Sequence, residues 1–154
     1  MRVLLLTVGT RAPRWVREGF ADYARRLPRD WRLELEEVPA ASRTRTDVAA
    51  ARAREAAALR GRIPRGAWVV ALDERGEPWD TRGLAERLAR CAARGRPVAF
   101  LVGGPDGLDP GLRGEADACW SLSALTLPHA LVRVVVAEQV YRAWTLLSGH
   151  PYHR

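Results

Sequence analysis

Lysine is absent from this chain. All 25 residues counted as Lys or Arg are arginine, and with 18 acidic residues the formal net charge is +7. An excess of positive charge suggests a polyanionic partner, of which nucleic acid is the first candidate. The choice of arginine over lysine is no evidence for such a partner, because GC-rich coding would explain that choice equally well. Only the excess of charge therefore bears on the partner.

The common nucleotide-binding fingerprints are also missing. The phosphate-binding loop requires lysine, and the glycine-rich Rossmann turn should follow the first strand, where only Gly9 is present. These absences argue against an ATPase, a dehydrogenase and an ordinary Rossmann methyltransferase. A nucleotide-like ligand would have to be held by another scheme.

Cysteine is scarce, and uninterrupted apolar runs of membrane length are absent. Cys91 and Cys119 lie in apolar segments and are expected to be reduced core residues of a cytoplasmic protein. No Cys/His spacing is typical of zinc, so we expect no metal. The N-terminal apolar run is too short for a signal peptide. Charged residues interrupt residues 131–147, which argues against a membrane span.

What the sequence does contain is a regular alternation of strand and helix patterns. We expect one domain over residues 1–154, with an α/β fold in which a parallel sheet carries helices on both faces. Residues 73–78 are predicted as a turn, and Gly61 as a left-handed helix end. The strands are predicted at residues 2–8, 31–38, 67–72, 98–102 and 118–122.

Three loops follow predicted strands and could converge on one pocket, because ligands of open parallel sheets bind beyond the carboxyl ends of strands. They begin after Leu72, at Gly103 and at Leu122. Gly103 either lets the backbone approach a flat ligand or belongs to a tight turn before Pro105. Residues 122–127 either line an apolar slot for an adenine or simply connect a strand to a helix.

The last helical pattern, at residues 130–147, is apolar over most of its circumference. One face should pack on the sheet, and we expect a second face to pack against another subunit across a two-fold axis. Glu138 and Arg142 are spaced as a helical ion pair. Arg133 stands apart from them among valines, which suggests a buried interface or an anion. Residues 150–154 form either a disordered tail or a functional one, with groups that stack on bases and bind phosphate.

These segments together resemble the ribosomal RNA large-subunit methyltransferase H family, of the SPOUT or trefoil-knot class. The resemblance extends from Val8 to the last residue. It implies a homodimer with a single-domain SPOUT fold and a C-terminal trefoil knot. It is carried by residues 102–107 (VGGPDG), 121–129 (SLSALTLPH), 138–143 (EQVYRA) and 151–154 (PYHR).

The resemblance also implies a reaction. The family transfers a methyl group from S-adenosyl-L-methionine to N3 of a pseudouridine in 23S rRNA within the assembled 70S ribosome. By resemblance, the cofactor-binding residues are Leu72, Gly103, Leu122, Ser123, Ala124, Leu125, Thr126 and Leu127.

The expected catalytic residues lie further along the chain. His129 and His153 are candidate proton acceptors for N3, since imidazole titrates near working pH. Arg142 and Arg154 could favour the anionic base or grip phosphates. Tyr152 could stack on the base. We expect the tail of one subunit to complete the pocket of the other.

Two alternatives remain open. One is a knotted methyltransferase acting on transfer RNA. The other is a non-enzymatic ribosome-binding factor, which fits the positive charge but leaves the glycine and Ser/Thr loops unexplained. Specific binding of S-adenosylmethionine would separate the enzymes from the binding factor.

Overall fold

A computed structural model describes residues 1–42 and 47–153. Strands and helices alternate along these residues, as predicted. The elements are β1 (Arg2–Val8), α1 (Arg14–Arg26), β2 (Arg32–Val38), α2 (Val48–Arg60), β3 (Trp68–Glu77), α3 (Thr81–Ala93), β4 (Val98–Val102), α4 (Pro110–Glu115), β5 (Ala118–Trp120), α5 (His129–Ser148) and a 3-10 helix (Pro151–His153).

The described strands form one five-stranded parallel sheet in the order β2-β1-β4-β3-β5. Side chains alternate between the two faces of a strand. Val3 and Leu5 of β1 therefore join a core cluster with residues of α1, α3 and α5, while Leu4 and Leu6 join a second cluster with residues of α2 and α4. The predicted arrangement, a parallel sheet with helices on both faces, is confirmed.

Helix α5 packs between α1 and α3 on one face of the sheet. No residue from His129 to Leu146 in this described helix is exposed. Gly19 of α1 lies so close that a Cβ there would be 3.3 Å from the methyl groups of Val134. Contacts within the chain therefore use a large part of the apolar circumference of α5. The second-subunit contact stays a prediction.

The turn predicted at residues 73–78 is wrong. β3 continues to Glu77, which pairs with Trp120 of β5 after a shift in register. Gly76 permits this pairing, because a Cβ at that position would lie 2.6 Å from the carbonyl carbon of Cys119. The segment needs few apolar side chains, since backbone hydrogen bonds such as Ser121 N–H to Glu77 C=O (2.9 Å) hold it.

Two smaller expectations are also wrong. Gly61 keeps a right-handed φ of −64°, because the chain continues in a tight turn in which Ile63 N–H donates to Arg60 C=O. The left-handed residue comes later, at Gly66, with φ +75°. β5 ends at Trp120 rather than at residue 122.

Some expectations fall outside this description. Residues 43–46, between β2 and α2, lie outside the described residues. The trefoil knot stays a prediction. Within the part of the chain that is described, no helix is both long and apolar enough to cross a membrane.

Candidate functional site

The carboxyl ends of β4 and β5 and residues 72–75 of β3 border one cavity of about 390 Å³. Its walls come from the segment after Leu72, the loop from Gly103 and the segment after Trp120. The three segments therefore converge as predicted, because Leu72 lies level with the ends of β4 and β5. The segment after Leu72 belongs to β3, however, and is not the predicted loop. The volume lies within the range of small-molecule sites, roughly 300–1,000 Å³.

Most of the residues predicted to bind the cofactor border this cavity. Ala124 lies in the same loop but is not part of the wall. Leu125 is 73% exposed at the cavity edge. The bordering residues from the predicted set are Leu72, Gly103, Leu122, Ser123, Leu125, Thr126 and Leu127.

The loop at Gly103 folds back on itself. Gly107 N–H donates to Gly104 C=O at 3.0 Å, and Gly107 has φ +76°. A Cβ on Gly103 would lie 2.3 Å from the carbonyl carbon of Gly107. Gly103 is therefore required because its backbone lies against the backbone of Gly107. This agrees with the alternative that Gly103 belongs to a tight turn before Pro105.

Hydroxyl groups fix the loop after β5. Ser121 Oγ donates to Ser123 C=O at 3.1 Å, and Ser123 Oγ accepts from Leu125 N–H at 2.9 Å. Thr126 Oγ1 donates to Glu74 Oε2 at 3.4 Å, which connects this loop to β3. These bonds hold the leucines of the loop in place around the cavity.

Acidic residues after Leu72 add charge that sequence reasoning missed, because they fell within the predicted turn. Asp73 and Glu74 both border the cavity. Asp73 Oδ1 accepts from Arg75 N–H at 2.9 Å, and its Oδ2 accepts from Arg113 Nη1 at 3.2 Å. Glu74 is exposed. Their position directly after a buried strand end was the available signal. Across residues 1–42 and 47–153, no cluster of His, Cys, Asp or Glu side chains could hold a metal ion.

His129 begins α5 and borders the same cavity. Burial, together with the nearby charge of Arg133, lowers the pKa of this imidazole from 6.5. Arg133 is 1% exposed. Its Nη2 donates to Gly9 C=O at 2.8 Å, and its Nη1 pairs with the Glu37 carboxylate. The anion predicted beside Arg133 is therefore a carboxylate of the same chain, and the pair joins α5 to the ends of β1 and β2.

Arg142 and Tyr152 form a second group around Glu138. Glu138 Oε1 accepts from Arg142 Nε at 2.7 Å and from the Tyr152 hydroxyl at 3.1 Å. Its Oε2 accepts from Gln139 Nε2 at 2.8 Å. The bond to Glu138 raises the pKa of Arg142, so that guanidinium stays charged. The helical ion pair predicted between Glu138 and Arg142 is therefore present.

The tail packs onto α5 through the ring of Tyr152. This ring lies 4.6 Å from the Tyr141 ring, and the Arg142 guanidinium carbon lies 4.9 Å from its centroid. Burial raises the pKa of Tyr152 to about 12, helped by its acidic neighbour Glu138. The phenol is therefore a hydrogen-bond donor at neutral pH. His153 Nδ1 is buried and has no hydrogen-bond partner among the described residues. Arg154 lies outside them.

The predicted catalytic residues thus fall into two groups within one chain. His129 and Arg142 lie on the same helix, and a rise of 1.5 Å per residue places them about 20 Å apart along its axis. Arg142 and Tyr152 are not part of the cavity wall. Within one copy of the chain, none of the described tail residues 150–153 borders the cavity.

Comparison with known proteins identifies relatives over the whole chain. The family model described as "Predicted SPOUT methyltransferase" matches residues 1–153. Two proteins named "Ribosomal RNA large subunit methyltransferase H" align over 100% of both chains, one from Marinomonas sp. (strain MWYL1) at 50% identity and one from Methylococcus capsulatus (strain ATCC 33009 / NCIMB 11132 / Bath) at 52%.

Solved structures support the fold. A probable methyltransferase from Bordetella pertussis Tohama I has a TM-score of 0.60 at 19% identity, with coverage of 92% of this chain and 93% of that one. A putative methylase family protein from Neisseria gonorrhoeae has a TM-score of 0.55 at 15% identity, with coverage of 91% and 81%.

Proposed function

The chain belongs to the SPOUT methyltransferase family, and from that premise we propose that it methylates N3 of a pseudouridine in 23S rRNA on the assembled 70S ribosome, with S-adenosyl-L-methionine as the methyl donor. The full-length identity of 50% and 52% to two proteins named as ribosomal RNA large subunit methyltransferases carries this proposal. The excess of positive charge suits an RNA substrate.

The cavity fits S-adenosylmethionine in size and chemistry. Leu72, Leu122 and Leu127 offer apolar walls for an adenine, and the backbone of the Ser/Thr loop offers polar groups for its edge. The exposed Glu74 carboxylate suits the positive charges of the ligand. When bound, the cofactor supplies a methyl group on a sulfonium, which is a good leaving group, so the protein contributes mainly alignment.

Removal of the proton from N3 falls to an imidazole in this proposal. His129 borders the cavity, and its lowered pKa keeps the ring neutral and able to accept a proton at pH 7. His153 is the other candidate from the sequence. Arg142 and Arg154 would favour the anionic form of the base or hold phosphates. Tyr152 would have to leave Tyr141 and Arg142 before it could stack on a base.

A homodimer in which each site uses both subunits would bring the two separated groups together, one at His129 and the other at Arg142 and Tyr152. Arg142 lies about 20 Å along α5 from His129, so Arg142 and the tail packed against it would have to complete the cavity of the other subunit. We propose such a homodimer, with residues 1–154 as a single knotted SPOUT domain that acts in the cytoplasm.

The test is methyl transfer from labelled S-adenosylmethionine to intact 70S ribosomes that lack the modification, with free 23S rRNA and transfer RNA alongside. We expect label at one pseudouridine of the intact ribosome. Label on transfer RNA instead would establish the knotted transfer-RNA enzyme. Ribosome binding with neither label nor cofactor binding would establish the non-enzymatic factor.

A further inference from the structure

Four arginines and Trp68 surround a second depression, which shares no residue with the cofactor cavity. Its volume is about 120 Å³, and its walls come from Trp68, Arg87, Arg90, Cys91, Arg94 and Arg96. Trp68 begins β3, whereas Leu72 of the same strand borders the cofactor cavity. Because a strand rises about 3.3 Å per residue, the Cα atoms of Trp68 and Leu72 lie ~13 Å apart along β3. We call this depression the arginine pocket.

Two of its arginines are held in place by the protein. Arg96 Nε donates to Gly66 C=O at 3.0 Å, and its Nη2 lies 3.4 Å from Asp117 Oδ2. Arg87 Nη1 donates to Gly83 C=O at 3.0 Å, and its guanidinium carbon lies 4.2 Å from the centroid of a Trp79 ring. These contacts fix the direction of both guanidinium groups before any ligand arrives, which lowers the entropy cost of binding.

The other two arginines leave the pocket with uncompensated charge. Arg90 and Arg94 are exposed, and neither forms an ion pair within residues 1–42 and 47–153. The acidic side chains that pair with the pocket are Asp117 and, at 3.9 Å from Arg87, Glu77. Four guanidinium groups therefore face two carboxylates.

We propose that the arginine pocket binds a backbone phosphate of the substrate RNA, as a contact remote from the methylated base. This inference rests on the proposed function. Guanidinium groups match phosphate in geometry and stay charged. The small volume suits one oxyanion rather than a whole nucleotide. The Trp68 ring is stacked on the Trp79 ring at 5.8 Å and forms an apolar wall of the pocket. Phosphate contacts position RNA without reading its sequence, so the pocket would orient the ribosomal substrate for a cavity that lies elsewhere.

The test compares two double variants of equal net charge. Arg90→Gln with Arg94→Gln neutralises the pocket, while Arg17→Gln with Arg29→Gln removes two exposed arginines outside it. Three quantities are measured for each: the affinity for S-adenosylmethionine, kcat and KM with unmodified 70S ribosomes, and the salt dependence of binding to a short RNA duplex.

The pocket variant should keep its cofactor affinity and kcat, while its KM for ribosomes rises roughly five-fold. Its slope of log affinity against log salt on the RNA duplex should fall by about 0.9 for each phosphate that the protein no longer neutralises. The control variant, Arg17→Gln with Arg29→Gln, should change the KM for ribosomes and the salt slope less than the pocket variant does.

An unchanged salt slope on the duplex would overturn the inference. A raised KM for ribosomes with an unchanged duplex slope would point to an acidic ribosomal protein instead, which also overturns it. Failure of the proposed function is separable, because it would appear in the unmodified enzyme as absent methyl transfer to ribosomes, whatever the duplex slopes show.

Discussion

At the scale of single residues, His129 connects the shape of the cavity with its chemistry. Burial and Arg133 lower the pKa of His129 from 6.5, and only the neutral imidazole accepts a proton. We expect the single-turnover rate of methyl transfer to fall on the acid side only below pH 6.5, as His129 becomes protonated. His129→Asn should slow transfer by about 10²-fold and remove this acid limb.

The same measurement of single-turnover rate against pH tests His153 as the alternative proton acceptor. If the acid limb survives in His129→Asn and disappears in His153→Asn, the proton goes to the tail and not to the wall of the cavity. An unchanged rate across pH in His153→Asn would end the proposal that His153 is the base.

The buried pair of Arg133 and Glu37 predicts a strong coupling. Arg133 is 1% exposed, and the Glu37 side chain is 24% exposed. Arg133→Met removes one partner of a largely buried pair, which should lower the free energy of unfolding by about 3 kcal/mol. Arg133→Met combined with Glu37→Leu should cost less than the single change, because no unpaired charge remains.

Urea denaturation of the two single variants and the double variant measures this coupling. Additive losses in the double variant would mean that the two side chains contribute independently. Sequence reasoning could identify Arg133 as unusual from its valine neighbours. It could not identify Glu37, because the carboxylate comes from a strand 96 positions away in the chain.

At the scale of elements, the loop from Gly103 offers a sharp test. Gly103→Ala places a Cβ 2.3 Å from backbone, whereas Gly114→Ala in α4 meets nothing within 4 Å. We expect Gly103→Ala to destabilise the fold by about 2 kcal/mol and to weaken S-adenosylmethionine binding at least about ten-fold, because the loop must shift. Gly114→Ala should leave binding unchanged and add up to about 1 kcal/mol of stability.

Urea denaturation and calorimetric titration with S-adenosylmethionine separate the two effects. Cofactor affinity equal to that of the unmodified protein in Gly103→Ala would show that this loop does not shape the binding site. The Gly114→Ala variant controls for the loss of a glycine as such.

The helices and buried strands could be predicted because their patterns are strong and local. β1 is a continuous apolar run, and it is buried on both faces of the sheet. The extension of β3 to Glu77 could not be predicted from a local apolar pattern. Its residues are polar, and their partner is the backbone of β5, which is far away in the chain. Gly76 carried the signal, but a glycine in a polar stretch is equally typical of a turn.

At the scale of the whole molecule, the convergence of three loops could be predicted, while the division of the catalytic residues could not. Strand ends share an edge in any parallel sheet. A helical pattern shows which residues share a face of α5, but it does not show that only the His129 end of the helix reaches the cavity. The separation of about 20 Å became evident only when the cavity was located on the helix.

Subunit complementation tests whether that separation is closed by a second copy. Leu122→Trp should fill the cavity and abolish cofactor binding, since Leu122 borders it. Arg142→Met should spare cofactor binding and abolish methyl transfer. Each variant alone is expected to be inactive, for a different reason.

In an equal mixture after subunit exchange, half of the dimers contain one copy of each variant. If Arg142 of one subunit completes the cavity of the other, each mixed dimer has one intact site, and the mixture should recover about one quarter of the activity of the unmodified protein. If each site is built within one chain, every cavity in the mixture either is filled or lacks Arg142. Verified mixed dimers without activity would therefore exclude a site that combines the cavity of one subunit with Arg142 of the other.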